Sequence, residues 1–405
     1  MSSLFYISGQ LFHSLIWMLK SKYKWVLIFY GFWIYRVSLM TGAGGGVFAV
    51  VSQLIPLFGL YFIAINYKNN IIGYAFGHTN WAIRSCLVLY ILGVVSTLWA
   101  FMPSLAAFMA IQNVIMIAVL ACFFSQFKSF KETEKAFILF VLFSSFVEAV
   151  GARIETPGLF SHKLGAGSTA AMCFTYCFAE LVSMNFIDEN RKKWLKGSTI
   201  LSLILVIIST SGGANAAAVV GVAVGLFLSK KKIYGLLLII LGIILFLYQE
   251  MIDDIILALM PGKSMEQIES SHGRTILWEA MLSTMPGREW IGWGFACGER
   301  RATGLVYGGI PVVESHNGYI GMYCGMGIIG CFFMGFHLVV SFLTFVRKRD
   351  RVGYVGLLSA FACACTNAYS YGFFSGKGST IIVVFFALIV LSYYYSKVPY
   401  ARNNK

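Results

Sequence analysis

The sequence predicts an all-α polytopic membrane protein of about twelve transmembrane helices with both termini cytoplasmic, and three observations predict it. Of 405 residues, 58% are hydrophobic and 12% charged, and the mean hydropathy of +0.76 is far too apolar for a soluble domain. Apolar runs recur from Trp25 to Ser396, several of them near the ~20 residues that a spanning helix needs. Finally, 22 of the 31 lysines and arginines fall at alternate connections between those runs, the asymmetry of the positive-inside rule. A net charge of +14 can point to nucleic acid, but here topology accounts for it and no nucleic-acid partner is expected.

The chain opens on an interfacial helix at residues 1–24. Leu4, Phe5, Leu11, Phe12, Leu15 and Leu19 share one helical face, and Lys20, Lys22 and Lys24 follow it. No small-residue cleavage site is present, so this is no signal peptide. Spans are predicted at 25–41, 44–66, 80–101, 104–126, 136–151, 166–187, 198–211, 214–229, 233–249, 317–345, 352–371 and 378–396. Thr41 and the glycines from Gly42 to Gly46 form a tight outer turn; no Lys-Ser/Thr follows to make it a phosphate-cradling loop. The short pair around Ser211-Gly212-Gly213-Ala214-Asn215 reads either as two spans or as a broken re-entrant pair. No internal repeat or low-complexity linker divides the chain. One transmembrane domain, 1–405, holds everything, with a long loop at 250–316 inserted between the ninth and tenth helices.

The nine cysteines do not make a disulfide framework. Cys86, Cys122, Cys173, Cys177, Cys324, Cys331, Cys363 and Cys365 lie in apolar spans and read as small hydrophobes, and Cys297 lies in the loop. No His or Asp cluster accompanies them, so neither a metal site nor a cofactor is predicted.

Polar chemistry concentrates on one side of the predicted membrane. The connection after the fifth span carries Arg153, Glu155, Ser161, His162 and Lys163. The turn after the seventh carries Thr210, Ser211 and Asn215. The long loop carries Arg274, Arg288 and His316. Guanidinium groups grip phosphate oxygens in bidentate fashion, so basic side chains at an outer lipid boundary suit a phosphate-bearing lipid. A histidine among them can serve as general base for a hydroxyl or stabilise a leaving phosphate. His272 reads as a solvated loop residue and His337 as a core histidine. Glu148 and Glu180 are carboxylates inside predicted spans, costly unless paired or functional; Arg153 is the partner expected for Glu148.

Gly273-Arg274 with Trp278, Pro286, Gly292-Trp293-Gly294-Phe295, Ser315-His316-Asn317-Gly318-Tyr319 and then Gly325, Gly327 and Gly330 resemble the signature of the O-antigen polymerase/ligase superfamily, particularly its exopolysaccharide polymerase-like members. Gly158-Leu159-Phe160-Ser161-His162-Lys163 is similar to a second motif, which usually continues with Asn where Leu164 stands here. The resemblance implies a metal-independent glycosyltransferase at the periplasmic face of the bacterial inner membrane. Its donor would be a glycan on undecaprenyl pyrophosphate and its acceptor a second glycan lipid, with a chain-length regulator and a flippase as partners. Arg274 would hold the donor pyrophosphate, and His316 would activate or position the acceptor hydroxyl. Asn317 would orient the histidine or a sugar, and Arg288, Arg153, Lys163, His162 and Tyr319 would contact substrate. Many members carry an Arg in a Thr/Ser-x-Ser/Thr-Arg turn where this chain has Ser209-Thr210-Ser211-Gly212. Arg153, Lys163 or Arg288 would have to take over that charge. A polymerase is the principal expectation, an O-antigen ligase acting on lipid A-core the alternative, and a glycan-lipid transporter the third, with Glu180 its main support.

Overall fold

A computed structural model describes residues 80–125, 127, 129–151, 163–183, 188–229, 231–247, 274–302, 306–307, 310–311, 315–375 and 379–397. The N-terminal interfacial helix, the first two predicted spans, the glycine-rich turn, Arg153, Glu155, Ser161, His162, His272 and Gly273 lie outside these residues.

Each span predicted from residue 80 onward coincides with a helix. These are α1 (Trp81–Val95), α2 (Pro103–Phe124), α3 (Phe130–Gly151), α4 (Lys163–Ser183), α5 (Glu189–Ile208), α6 (Gly212–Leu228), α7 (Lys232–Leu247), α10 (Gly318–Val346), α11 (Tyr354–Asn367) and α12 (Thr380–Lys397). Two shorter helices, α8 (Arg274–Leu282) and α9 (Gly298–Arg301), stand in the long loop. Val306–Tyr307 and Ile310–Pro311 pair there as a minimal antiparallel ladder. By length and apolarity, four helices qualify to cross a membrane among the described residues: Trp81–Leu98, Pro103–Ala121, Gly318–Val346 and Thr380–Lys397.

Local chemistry sets the helix starts. Asn80 caps α1 by accepting the Ile83 amide at 3.1 Å, and Pro103 opens α2 where no intrahelical N–H is required. The Asp188 carboxylate takes the Asn190 and Arg191 amides of α5 at 3.0 and 3.3 Å. Ser211 takes the Ala214 amide of α6, and Asn317 caps α10.

The interior is organised around α12, whose side chains from Thr380 to Ser392 are all buried, against α1, α2, α3 and α4 among others. A helix apolar on every face is the form expected of one enclosed by other helices. A second layer, α4, α5, α6 and α11, packs through small residues. Ser359 of α11 donates at 2.7 Å to the Gly221 carbonyl of α6 and at 3.0 Å to the Thr175 carbonyl of α4. Close backbone approach is what small residues permit between apolar helices, where no hydrophobic effect drives association.

At one end of this layer the buried Glu180 is fully engaged. Arg191 reaches Glu134 at 2.6 Å and Glu180 at 2.7 Å. The Gly353 and Gly356 amides at the start of α11 donate to the two Glu180 oxygens at 3.0 and 2.9 Å. Tyr176 donates to Glu134 at 2.9 Å and shares a hydrogen bond with Tyr395. The five helices α3, α4, α5, α11 and α12 are thus tied by one network. Glu148 accepts a hydrogen bond from Thr380; its expected partner Arg153 lies outside the described residues. His337 is a core histidine, its Nδ1 3.0 Å from the Ser85 hydroxyl.

The long loop returns against α10 and breaks it. Gly327 adopts φ 62°, ψ −159°, outside helical space. The Ile328 amide would ordinarily donate to the Cys324 carbonyl; instead it donates to the Glu289 carbonyl at 2.8 Å. Cys324 accepts from the Trp293 amide at 3.0 Å, and the Ile329 amide donates to the Trp290 carbonyl at 3.1 Å. The Cys324 carbonyl and the Ile328 and Ile329 amides, released at the kink, therefore find their partners in the loop, as buried backbone groups must. A Cβ at Gly327 would collide with the Trp290–Ile291 backbone, and one at Gly292 with the Gly325 carbonyl. Glycine at both positions is a condition of this docking.

Candidate functional site

Arg274 is the first residue of α8. The helix is amphipathic, and Met281, with the partly buried Leu277, turns toward Ile320, Tyr323 and Cys324 of α10. That orientation leaves Arg274 and Trp278, one helical turn apart, toward the end of α11. The Trp278 indole packs edge-on against Tyr369 with ring centroids 5.5 Å apart, and its N–H donates to the Ser315 carbonyl at 2.8 Å. Arg274 is half-buried beside the same tyrosine. Burial lowers the pKa of its guanidinium, with the nearby Tyr369 phenol opposing the shift. Arginine stays charged throughout, so the shift marks a cation deprived of solvent. No carboxylate among the described residues pairs with it. An anionic ligand would restore what burial removes.

His316 is held between two anchored neighbours. The Ser315 amide and hydroxyl donate to the Glu299 carboxylate at 3.3 and 2.5 Å, and both Ser315 and Glu299 are buried. Asn317 accepts the Tyr319 and Ile320 amides at 3.0 and 3.1 Å, and the Gly318 amide donates to the Ala368 carbonyl at 2.7 Å. Between them His316 sits at φ 49°, a left-handed conformation that costs a histidine energy and persists where its surroundings impose it. The imidazole is half-exposed. The structure thus brings Arg274 and His316 to one place through Trp278 and Ser315.

The other site residues predicted from sequence are placed differently. Asn317 uses its side-chain oxygen as the α10 cap. The Tyr319 hydroxyl donates into the bundle, to the Cys365 carbonyl at 2.7 Å, and its ring packs on Phe374. Arg288 does not join Arg274: its guanidinium lies 4.9 Å from the centre of the Trp293 ring, on the loop segment docked at the α10 kink. Lys163 begins α4, and Gly167 one turn later touches Ser209 and Ala214, so the start of α4 lies beside the turn that lacks the expected arginine. On the other flank of that turn, Gly213 meets Ser370. Arg153 and His162 lie outside the described residues.

Two residues that contact the candidate site were not legible in sequence. Tyr369 is 95 residues from Arg274 in the chain, and nothing near it signals a site. Glu299 was hidden in a basic stretch, Glu299-Arg300-Arg301; a carboxylate there among cations was the available signal.

Apolar helices of spanning length point to a helical membrane protein. Residues 197–335 match the family model described as O-antigen ligase, consistent with the O-antigen polymerase/ligase superfamily. Members of that family are glycosyltransferase-like enzymes. The matched region runs from α5 through the kink of α10 and contains Arg274 and His316. No curated protein matches the chain significantly.

Proposed function

We propose that this protein polymerises undecaprenyl-pyrophosphate-linked oligosaccharide repeat units at the periplasmic face of the bacterial inner membrane, spanning it about twelve times. The observation that carries the reading is Arg274, a half-buried guanidinium without a carboxylate partner among the described residues, tied through Trp278 to the residue preceding His316. The donor pyrophosphate lies against Arg274, with Lys163 at the start of α4 as the second basic contact. The acceptor hydroxyl approaches the anomeric carbon opposite the leaving group. A bond forms from that oxygen to the anomeric carbon as the bond to the pyrophosphate oxygen breaks. His316 takes or shares the hydroxyl proton, and undecaprenyl pyrophosphate departs. Positioning and charge neutralisation of a good leaving group supply most of the rate. Guanidinium groups can perform that neutralisation, so the mechanism uses no metal. A chain-length regulator and a flippase are the expected partners.

The ligase reading shares this chemistry and differs in its acceptor, lipid A-core. The description of the matched family favours it. Gly212, at the place of the turn arginine, counts against it.

The test is a null strain complemented with wild type, Arg274→Ala or His316→Ala, with surface glycan read by gel. Lipid A-core capped by a single repeat unit in the null identifies a polymerase. Uncapped core with long glycan retained on undecaprenyl pyrophosphate identifies a ligase. Both variants should copy the null at normal protein level; full glycan from either rejects this site.

A further inference from the structure

Arg288 and Arg301 converge on one indole. Their guanidinium carbons lie 4.9 and 5.1 Å from the centre of the Trp293 ring, so the two are within about 10 Å of each other. Arg301 also lies 5.3 Å from the centre of the Phe101 ring, which packs edge-on against Trp293. Neither arginine has a carboxylate partner among the described residues. The nearest carboxylates in sequence are Glu289, which is turned back to the Gly287 amide at 3.0 Å, and Glu299, which accepts from Ser315. Stacking on an aromatic face orients a guanidinium but does not neutralise it, and all its N–H donors remain for a ligand.

This cluster is built rather than incidental. The Trp293 ring nitrogen donates to the Thr284 carbonyl at 3.0 Å, its amide to Cys324, and its carbonyl accepts the Phe101 amide at 2.7 Å. Trp99 reinforces the same junction by donating to the Ile291 carbonyl at 2.8 Å. The cations are therefore fixed where the long loop meets the connection from α1 to α2. Around them Leu98, Phe101 and Trp290 are 83%, 49% and 67% exposed. Cations set among exposed aromatic and aliphatic side chains have the makeup of a membrane–water boundary. A ligand suited to it has a phosphorylated head and an apolar tail.

We propose that Arg288, Arg301 and Trp293 form a second anion site, separate from Arg274 and His316, which takes the diphosphate headgroup of a membrane lipid. Two guanidinium forks on one ring match the divided charge of a diphosphate better than that of a single phosphate. Trp293 is bonded to α10 at Cys324, about 9 Å along the helix from Gly318, so this site and the first are neighbours without overlapping. The proposal rests on the reading that the protein joins two lipid-linked glycans, and it assigns the second cluster to the acceptor. A ligand class common to both sites is what polymerisation requires.

The experiment is equilibrium binding of farnesyl diphosphate to the full-length protein in detergent. Wild type should bind two equivalents. Arg288→Gln/Arg301→Gln should lose one, its affinity weakened at least tenfold, while Arg274→Gln loses the other. Two equivalents bound by the double variant with wild-type affinity would overturn the proposal. If Arg274→Gln alone leaves binding unchanged, the functional reading fails instead. Should the double variant lose both equivalents, Arg301→Gln decides, since Arg301 is exposed: one equivalent lost supports the site and two retained overturn it. Inorganic pyrophosphate that displaces the probe shows recognition of the headgroup alone. Failure to displace it shows that the tail and the apolar rim are needed as well, and either result supports the site. Displacement by phosphatidylglycerol at concentrations equal to the probe shows a bulk-lipid contact only and overturns it.

Discussion

Trp278 donates its indole N–H to the Ser315 carbonyl at 2.8 Å, and so joins the helix that begins with Arg274 to the residue before His316. The two residues are 37 positions apart in sequence. Trp278→Phe keeps the ring against Tyr369 and removes only this bond. A neutral hydrogen bond is worth about 1 kcal/mol, so glycan assembly should fall about threefold to tenfold at unchanged protein level. Initial rates in membranes check this; a wild-type rate would show that the tie does not position the site.

Glu299 holds Ser315 by two hydrogen bonds in a buried setting. Glu299→Ala leaves the Ser315 donors without that acceptor, at a cost of about 1–3 kcal/mol, and releases the strained turn at His316. Activity should drop at least tenfold, while Glu299→Gln, which still accepts, retains more of it. Farnesyl diphosphate binding should survive in both, because the helix that carries Arg274 still packs on α10 through Leu277 and Met281. Equal loss of binding and turnover would mean that the substitution acts on folding alone.

Arg191 is the only cation reaching Glu134 and Glu180 among the described ion pairs. Arg191→Met leaves two carboxylates buried together and should destabilise the protein by about 3–5 kcal/mol. Thermal melting in detergent and abundance in membranes measure it. Glu180→Gln should lower glycan transfer only as far as it lowers abundance. Export lost while transfer in detergent persists would instead favour the transporter reading.

Gly327→Ala should be poorly tolerated. The left-handed φ penalises a side chain, and the new Cβ would strike the Trp290–Ile291 backbone. Backbone cannot move aside as a flexible side chain can. Gly335→Ala, eight residues further along α10 with open space around it, should leave melting temperature and glycan output unchanged. A Gly327→Ala protein that melts like wild type would show that the kink is not required for the loop to dock.

Much of this was readable in the chain. Helical spans followed from apolar runs, and α12 and α10 are both long and apolar enough to span. Which of them is enclosed was not readable: hydropathy measures dislike of water, and neither protein interior nor lipid offers any. Burial separates them: 83% of the apolar stretch of α12 lies inside, against 28% of that of α10. Arg274 and His316 were legible because each stands in a motif of the long polar loop that interrupts the apolar runs. Tyr369 was not, because a tyrosine at a helix end has many ordinary uses.

Sequence by itself determined the membrane class and, among the described residues, the helix positions, since both rest on local composition along one chain. Tertiary structure decided that Glu180 belongs to a lock with Arg191 and Glu134. It also decided that the Asn317 side-chain oxygen is taken by a helix cap, and that Arg288 leaves Arg274 for Trp293 and Arg301. The physical reason is the same in each case. A charge or an amide commits to the partner that packing delivers, and here those partners come from helices or loop segments that distance along the chain does not bring together.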